Sequence, residues 1–147
     1  MNIDSVFTNR RYTEAYMWGA ASLFPDEAAT ARANYTPGIF ATDEGFNNFR
    51  VSGNVYYGLD FSAGLITPDF FGRSSPNLNQ WGNYYKIIRK CNTVLQNIDK
   101  PADMTIADRV RIEGYTRFIR AYAYYNILMD FGPPILLGDE VVNTNES

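Results

Sequence analysis

The chain has 147 residues, of which 46% are hydrophobic and 16% aromatic, so it carries enough apolar material for one ordinary folded domain. Thirteen Lys and Arg residues against sixteen Asp and Glu residues give a net charge of −3, which argues against a nucleic-acid partner. Histidine is missing and Cys91 is the single cysteine, which excludes histidine-dependent triads, the common zinc sites and an intramolecular disulfide.

The first predicted helix covers residues 8–24, with Thr8 or Asn9 as its N-cap and Phe24-Pro25 at its end. Apolar or small residues recur there at the spacing of one helical face: Tyr12, Ala15, Tyr16, Gly19, Ala20 and Leu23. We therefore expect this face to pack against the rest of the domain.

Residues 25–77 follow another pattern, because glycines and prolines interrupt every helical period. Short helical pieces are predicted near residues 26–34 and 56–64, and the many aromatic residues of the span argue against disorder. The sequence thus predicts a long, ordered loop layer. A loop this long in a compact domain is either functional or a sign of a wrong assignment.

A second helix is predicted over residues 78–98. Its apolar face is formed by Trp81, Tyr84, Tyr85, Ile88, Leu95 and Ile98. Cys91 is expected to be a small buried residue of this helix. Asn92 lies near the apolar side, where an unpaired amide is costly, so we expect it to bond the backbone of a neighbouring loop.

The third predicted helix follows a short connection and starts with a capping arrangement in which Thr105 accepts hydrogen bonds from free backbone N–H groups. Pro133-Pro134 prevents the helix from continuing beyond Gly132. Its apolar side is predicted to carry Tyr115, Phe118, Ile119, Tyr122, Tyr125 and Met129. Glu113, Arg117 and Arg120 have the spacing of an ion-pair network.

Two long helices joined by a tight loop are expected to pack as an antiparallel hairpin, since neither apolar face is stable in water. The predicted fold class is all-α, with tetratricopeptide-like antiparallel helix hairpins and a long ordered loop layer. The strict residue spacing of the tetratricopeptide repeat is not met, so this likeness concerns architecture alone.

Three segments, residues 7–16, 81–95 and 113–136, resemble the SusD/RagB family in their order and spacing. The second has spaced Trp, Tyr, Ile and Asn residues, and the third has a Glu, Arg-Ala, Tyr and Phe-Gly run that ends near a proline and a leucine. Gly132-Pro133-Pro134-Ile135-Leu136 departs slightly from the family's usual turn. By this resemblance residues 1–147 form a SusD-like N-terminal helical domain, truncated before a C-terminal region.

The resemblance implies a protein without catalytic activity or cofactor that captures oligosaccharide or another nutrient. It also implies a lipoprotein of the bacterial outer membrane, surface-exposed or periplasm-facing, whose partner is a TonB-dependent SusC-like transporter. No apolar stretch in the chain approaches the roughly 20 residues that cross a bilayer. Membrane attachment is therefore expected only through a lipid anchor that is absent from this chain.

A sugar site needs flat aromatic faces together with amide or guanidinium groups for the hydroxyls. Such residues occur just before and at the start of the second helix: Arg73, Asn77, Asn79 and Trp81. Trp81 either contacts the ligand or anchors the helix start, and the anchor carries more weight. Tyr56 and Tyr57 are further candidates, although adjacent aromatics also pack under loops.

Two other functions fit the sequence less well. The first is a helical protein-docking module that contacts the transporter without binding sugar itself. The second is a degradative enzyme that uses the adjacent carboxylates Asp43 and Glu44, since paired carboxylates hydrolyse glycosides. Sequence neighbours rarely point into one site, so a role of this pair in loop capping is preferred to catalysis.

Overall fold

The computed structural model describes residues 3–25 and 80–138, in which four helices and no strand occur. They are α1 (Ile3–Val6), α2 (Arg10–Ala21), α3 (Trp81–Asn97) and α4 (Ile106–Phe131). The all-α class is confirmed, whereas the tetratricopeptide-like arrangement stays a prediction. Almost all of the predicted loop layer lies outside the described residues. The chain divides into two units, residues 1–24 with 81–147 and residues 25–80, and all four helices belong to the first.

The helix starts follow from local capping chemistry. Asn9 is the N-cap of α2, and its side-chain oxygen accepts a hydrogen bond from the Tyr12 backbone N–H at 3.0 Å. Thr105 is the N-cap of α4: its hydroxyl oxygen accepts from the Asp108 N–H at 3.1 Å and donates to the Asp108 carboxylate at 2.7 Å. Both side chains satisfy backbone donors that a helix start leaves free. Both predicted caps are confirmed.

The end of α4 is set by Gly132, which has a φ of +88°. Its N–H donates to the Leu128 carbonyl at 3.1 Å, which closes the last turn. An L side chain is strained at this φ, so glycine fits the position, and the prolines that follow cannot extend the helix. The predicted stop at residues 131–132 is confirmed.

Helices α3 and α4 form the predicted antiparallel hairpin. Trp81 at the start of α3 contacts Phe131 at the end of α4, with ring centroids 5.4 Å apart. At the opposite end Arg109 pairs with Asp99 at 2.6 Å. Because the first residues of one helix meet the last residues of the other, the two axes run in opposite directions.

Helix α2 lies against both members of the hairpin. Trp18 contacts Tyr115 of α4 with ring centroids 5.7 Å apart, and the Lys90 ammonium of α3 stands 4.0 Å from the Tyr16 ring centroid. The second contact is a cation–π interaction, which adds about 0.5–1 kcal/mol at a partly exposed site. Residues 3–24 are thus joined to the hairpin although more than fifty residues separate them in sequence.

The core lies between α2, α3 and α4, and its residues differ in part from the predicted faces. On α4 the buried residues are Ile112, Thr116, Ile119, Ala123 and Ile127, while the predicted Tyr115, Phe118, Tyr122, Tyr125 and Met129 are exposed. On α2 the buried residues are Thr13, Met17 and Ala20, whereas Tyr12 and Ala15 are exposed. The predicted apolar side of α4, apart from Ile119, was therefore wrong, and so was part of that of α2.

Buried threonines explain this error. The Thr116 hydroxyl donates to the Ile112 carbonyl at 2.7 Å, and the Thr13 hydroxyl donates to the Asn9 carbonyl at 3.0 Å. A hydroxyl that bonds the preceding turn of its own helix is already satisfied, so the side chain can pack as a small apolar group. A pattern based on hydrophobicity counts such residues as polar and therefore shifts the predicted face.

Cys91 lies in this core, as the sequence predicts. Burial raises the pKa of its thiol to about 12, although the nearby Arg120 and Lys90 oppose the shift. The thiolate is the reactive form of cysteine, so the side chain serves as a small packing group rather than a nucleophile.

Candidate binding and docking site

Trp81 is the one predicted ligand-binding residue that lies within the described residues. It is the first residue of α3 and 37% exposed. The Tyr85 ring is tilted against it with centroids 5.0 Å apart, and the Phe131 ring stands edge-on to it. Trp81 therefore packs against both helices of the hairpin at the start of α3, and its indole ring stays partly exposed.

The segment that follows α4, residues 133–138, is called the post-helix segment and is held by side chains of the hairpin. The Tyr85 hydroxyl donates to the Ile135 carbonyl at 3.2 Å and accepts from the Ile135 N–H at 3.0 Å. The Tyr124 hydroxyl makes the same pair of bonds with Leu137, at 3.1 and 2.9 Å. The two tyrosine hydroxyls thus bond both the N–H and the carbonyl of Ile135 and of Leu137, and Tyr85 connects the segment to the Trp81 ring.

Asn92 completes this attachment from the middle of α3. It is 1% exposed, and its amide nitrogen donates to the Gly138 carbonyl at 2.8 Å. Its amide oxygen accepts from the Arg120 guanidinium, also at 2.8 Å. The predicted bond from Asn92 to a loop backbone is confirmed. Arg120 thus bonds this amide. Arg117 pairs with Glu113 at 2.7 Å, as predicted.

A group of charged side chains joins the start of α2 to the start of α4. Arg111 pairs with Glu14 at 2.8 Å and with Asp108 at 3.3 Å, and Arg10 also reaches Asp108 at 3.3 Å. The hydrogen bond from Arg111 lowers the pKa of Glu14, although partial burial opposes it. The bond from the Thr105 hydroxyl, aided by Arg111, lowers the pKa of Asp108. Both carboxylates are therefore stabilised in their charged forms.

Stability is expected to fall in acid because of these two carboxylates. A carboxyl group whose pKa is lower in the folded state stabilises the fold fully above its unfolded value of about 4, and this contribution is lost as the pH falls below it. Urea unfolding across the acid range should show that Arg111→Met is less stable than the wild type at neutral pH. The difference should shrink as the pH falls, and a difference independent of pH would contradict this assignment.

A cleft of about 590 Å³ lies between α2 and α4, and we call it the aromatic cleft. Aromatic and aliphatic residues line it: Trp18, Ala21, Phe24, Tyr115, Phe118, Ile119 and Tyr122. Its size is that of a small-molecule pocket, but a sugar requires polar partners that these side chains scarcely provide. Large aromatic residues with few charges are typical of protein interfaces, so the cleft suits a docking role better than a sugar site.

The other predicted binding residues, Arg73, Asn77, Asn79, Tyr56 and Tyr57, lie outside the described residues, as do Asp43 and Glu44. The aromatic cleft was not predicted from the sequence. Its signal in the sequence is the row of aromatic residues on α4, which the hydrophobic pattern assigns to the core.

Neither a metal site nor a membrane span is found in the part of the chain that the structure describes. Across residues 3–25 and 80–138, no group of three or more Cys, Asp or Glu side chains is placed to hold a metal ion. Within the same ranges, none of the helices combines the length and the apolar character that crossing a bilayer requires.

Comparison with known proteins gives one positive finding. Residues 26–146 match the model of a SusD-like family described as starch-binding and associating with the outer membrane. Neither the curated proteins nor the solved structures gave a match. The matched residues are most of the chain, and they include both helices of the hairpin, Trp81 and the post-helix segment. The chain therefore belongs to the SusD-like family of starch-binding proteins that associate with the outer membrane.

Proposed function

We propose that this protein captures oligosaccharide or another nutrient at the bacterial outer membrane, without catalysis, and delivers it to a TonB-dependent SusC-like transporter. The observation that carries the proposal is the family match over residues 26–146. In this proposal the protein is a lipoprotein, and residues 1–147 are the N-terminal helical part of a larger binding protein.

The proposed sugar platform is the ring of Trp81. Its contacts with Tyr85 and Phe131 fix the ring before a ligand arrives, so binding does not have to order it. Covering about 100 Å² of the ring with the apolar face of a pyranose contributes roughly 2–3 kcal/mol. That alone gives weak binding, so polar partners are required.

Arg73, Asn77 and Asn79 are the proposed polar partners, and Tyr56 and Tyr57 are proposed as further aromatic contacts. The first three precede Trp81 by two to eight residues, a distance that a short stretch of backbone spans easily. Guanidinium and amide groups both donate hydrogen bonds to sugar hydroxyls, and an amide also accepts them.

A calorimetric titration with soluble starch, mannan, xylan and host-type oligosaccharides tests the proposal. We expect saturable heat with one class of glycan and at least tenfold weaker binding in Trp81→Ala, because the loss of roughly 2–3 kcal/mol exceeds the 1.4 kcal/mol that a tenfold change requires. Trp18→Ala is the matched control, since it removes the chain's other tryptophan from the aromatic cleft, and it should bind as the wild type does.

The aromatic cleft favours one alternative, a docking module that contacts the transporter without binding sugar. It predicts no heat with any glycan from a folded sample, together with retention of the transporter by wild type and Trp81→Ala alike. Loss of transporter binding in Trp18→Ala, with no sugar binding in the wild type, would replace the proposed function by this alternative.

A further inference from the structure

Helix α4 has a second apolar stripe, which lies about a third of a turn from its buried stripe. Its residues are Tyr115, Phe118, Tyr122, Tyr125 and Met129, each between 39% and 68% exposed. We call this stripe the aromatic seam. Five large apolar side chains in one exposed line on a single helix exceed the scattered exposure that is normal for a soluble protein.

The spacing of the seam is that of a helix-packing surface. Its residues follow one another at intervals of three, four, three and four, which is the alternation of the a and d positions in a heptad repeat. The rings of Phe118 and Tyr122 are parallel to within 2°, and those of Tyr122 and Tyr125 to within 15°. A seam of rings that are already stacked loses little side-chain freedom when another helix covers it.

One flank of the seam has the residues that allow a second helix to pack closely beside it. This flank is formed by three exposed, uncharged residues at seven-residue intervals: Gly114, Ala121 and Leu128. A Cβ atom at Gly114 would meet nothing within 4 Å, so the fold of the chain itself does not require a glycine there. The small Gly114 and Ala121 allow a second helix backbone to come near, and an uncharged flank avoids repulsion between like copies.

The exposed area is sufficient for a stable interface. Five side chains of about 150–250 Å², each roughly half exposed, present about 400–650 Å² of apolar surface. A standard interface buries about 800 Å² on each partner, of which somewhat more than half is apolar. The seam could therefore supply the whole apolar part of such an interface.

We propose that the aromatic seam is a homodimer interface, in which α4 of one copy packs antiparallel against α4 of a second copy. A twofold axis at the level of Arg120 brings Tyr115 opposite Tyr125 of the other copy and Phe118 opposite Tyr122, while Met129 lies opposite Arg111. An interface with this symmetry needs a surface that complements itself, and the four aromatic residues of the seam meet this requirement in that register. The dimer is independent of the sugar platform at Trp81.

Analytical ultracentrifugation over a range of protein concentrations tests the proposal. The wild type is expected to show a reversible equilibrium between monomer and dimer. Phe118→Glu and Ala121→Glu should weaken it at least tenfold, because each places two like charges in the interface. Ile106→Glu is the control: Ile106 is 82% exposed at the first residue of α4, before the seam and its flank begin, and its variant should dimerise normally.

Ala121→Glu keeps the test decisive if Phe118→Glu loses helicity, since Ala121 has a single exposed methyl group to lose. A wild type that stays monomeric at every concentration would overturn the proposal, and so would a dimer that Ala121→Glu leaves intact. A monomer whose oligosaccharide binding falls in Phe118→Glu would assign the seam to the sugar site and would also overturn the dimer.

Discussion

Ile112→Ala is expected to lower the free energy of unfolding by about 2–5 kcal/mol. Ile112 is fully buried on α4, and the loss of its branched side chain leaves a cavity in the core shared by α2, α3 and α4. A typical domain is stable by only about 5–15 kcal/mol, so this substitution should remove a substantial share of the stability.

Urea unfolding followed by circular dichroism measures this effect, at a concentration that keeps the protein monomeric. Val110→Ala, two residues earlier on the exposed side of α4, is the control and should change stability by less than about 0.5 kcal/mol. Phe118→Ala decides between the two faces of the helix. If the face predicted from the sequence were the buried one, Phe118→Ala would be more damaging than Ile112→Ala, and that result would contradict the core described above.

Asn92→Ala is expected to lower the free energy of unfolding by about 1–3 kcal/mol, because it leaves the Gly138 carbonyl and the Arg120 guanidinium without their bonds to this amide. The variant also releases the backbone of residue 138 from α3. We therefore expect a second sign, faster amide hydrogen exchange in the post-helix segment, which a loss of core packing alone would not produce selectively.

Asn126→Ala is the matched control for Asn92→Ala. The Asn126 amide donates to the Tyr122 carbonyl one turn earlier, within α4 itself, so its removal leaves the contacts between elements unchanged. It should alter stability by less than about 0.5 kcal/mol. Equal effects of the two substitutions would show that the buried amide has no special structural role.

The helices and their ends could be predicted because they depend on local chemistry. The stops and caps at Asn9, Thr105 and Gly132 are each determined by residues within one turn, and a single sequence displays them directly. The predicted ends of the first helix were too wide, at residues 8–24 against Arg10–Ala21, since the apolar pattern continues into the turns that flank it.

Which face of a helix is buried depends on distant residues and was therefore harder to predict. On α4 both Ile112 and Phe118 belong to apolar stripes, and the choice between them depends on how closely α3 and α2 approach. Ile, Ala and Thr allow close packing of three helices, whereas a row of tyrosines and phenylalanine does not. The hydrophobic pattern favours the bulkier residues as the buried face, whereas the smaller ones form the core.

The candidate sites also divide into features that the local sequence reveals and features that depend on the packing of distant residues. Trp81 could be singled out because its neighbours in sequence have the chemistry of a sugar site, and its anchoring role was predicted as well. The aromatic cleft could not, since Trp18 and Tyr115 come together only when α2 packs along α4. The sequence of α4 does contain intervals of three and four residues for two apolar stripes, one through Ile112 and one through Phe118.

Trp81 as the glycan platform is the central claim, and its fluorescence tests it most directly. In Trp18→Phe the emission comes from Trp81 as the remaining tryptophan, so a titration with oligosaccharide monitors that ring alone. We predict a saturable change in emission with the same glycan class that gives heat in calorimetry. A glycan that binds with saturable heat while the emission stays unchanged would place the site elsewhere, and a folded sample that binds none of the glycans would contradict the claim altogether.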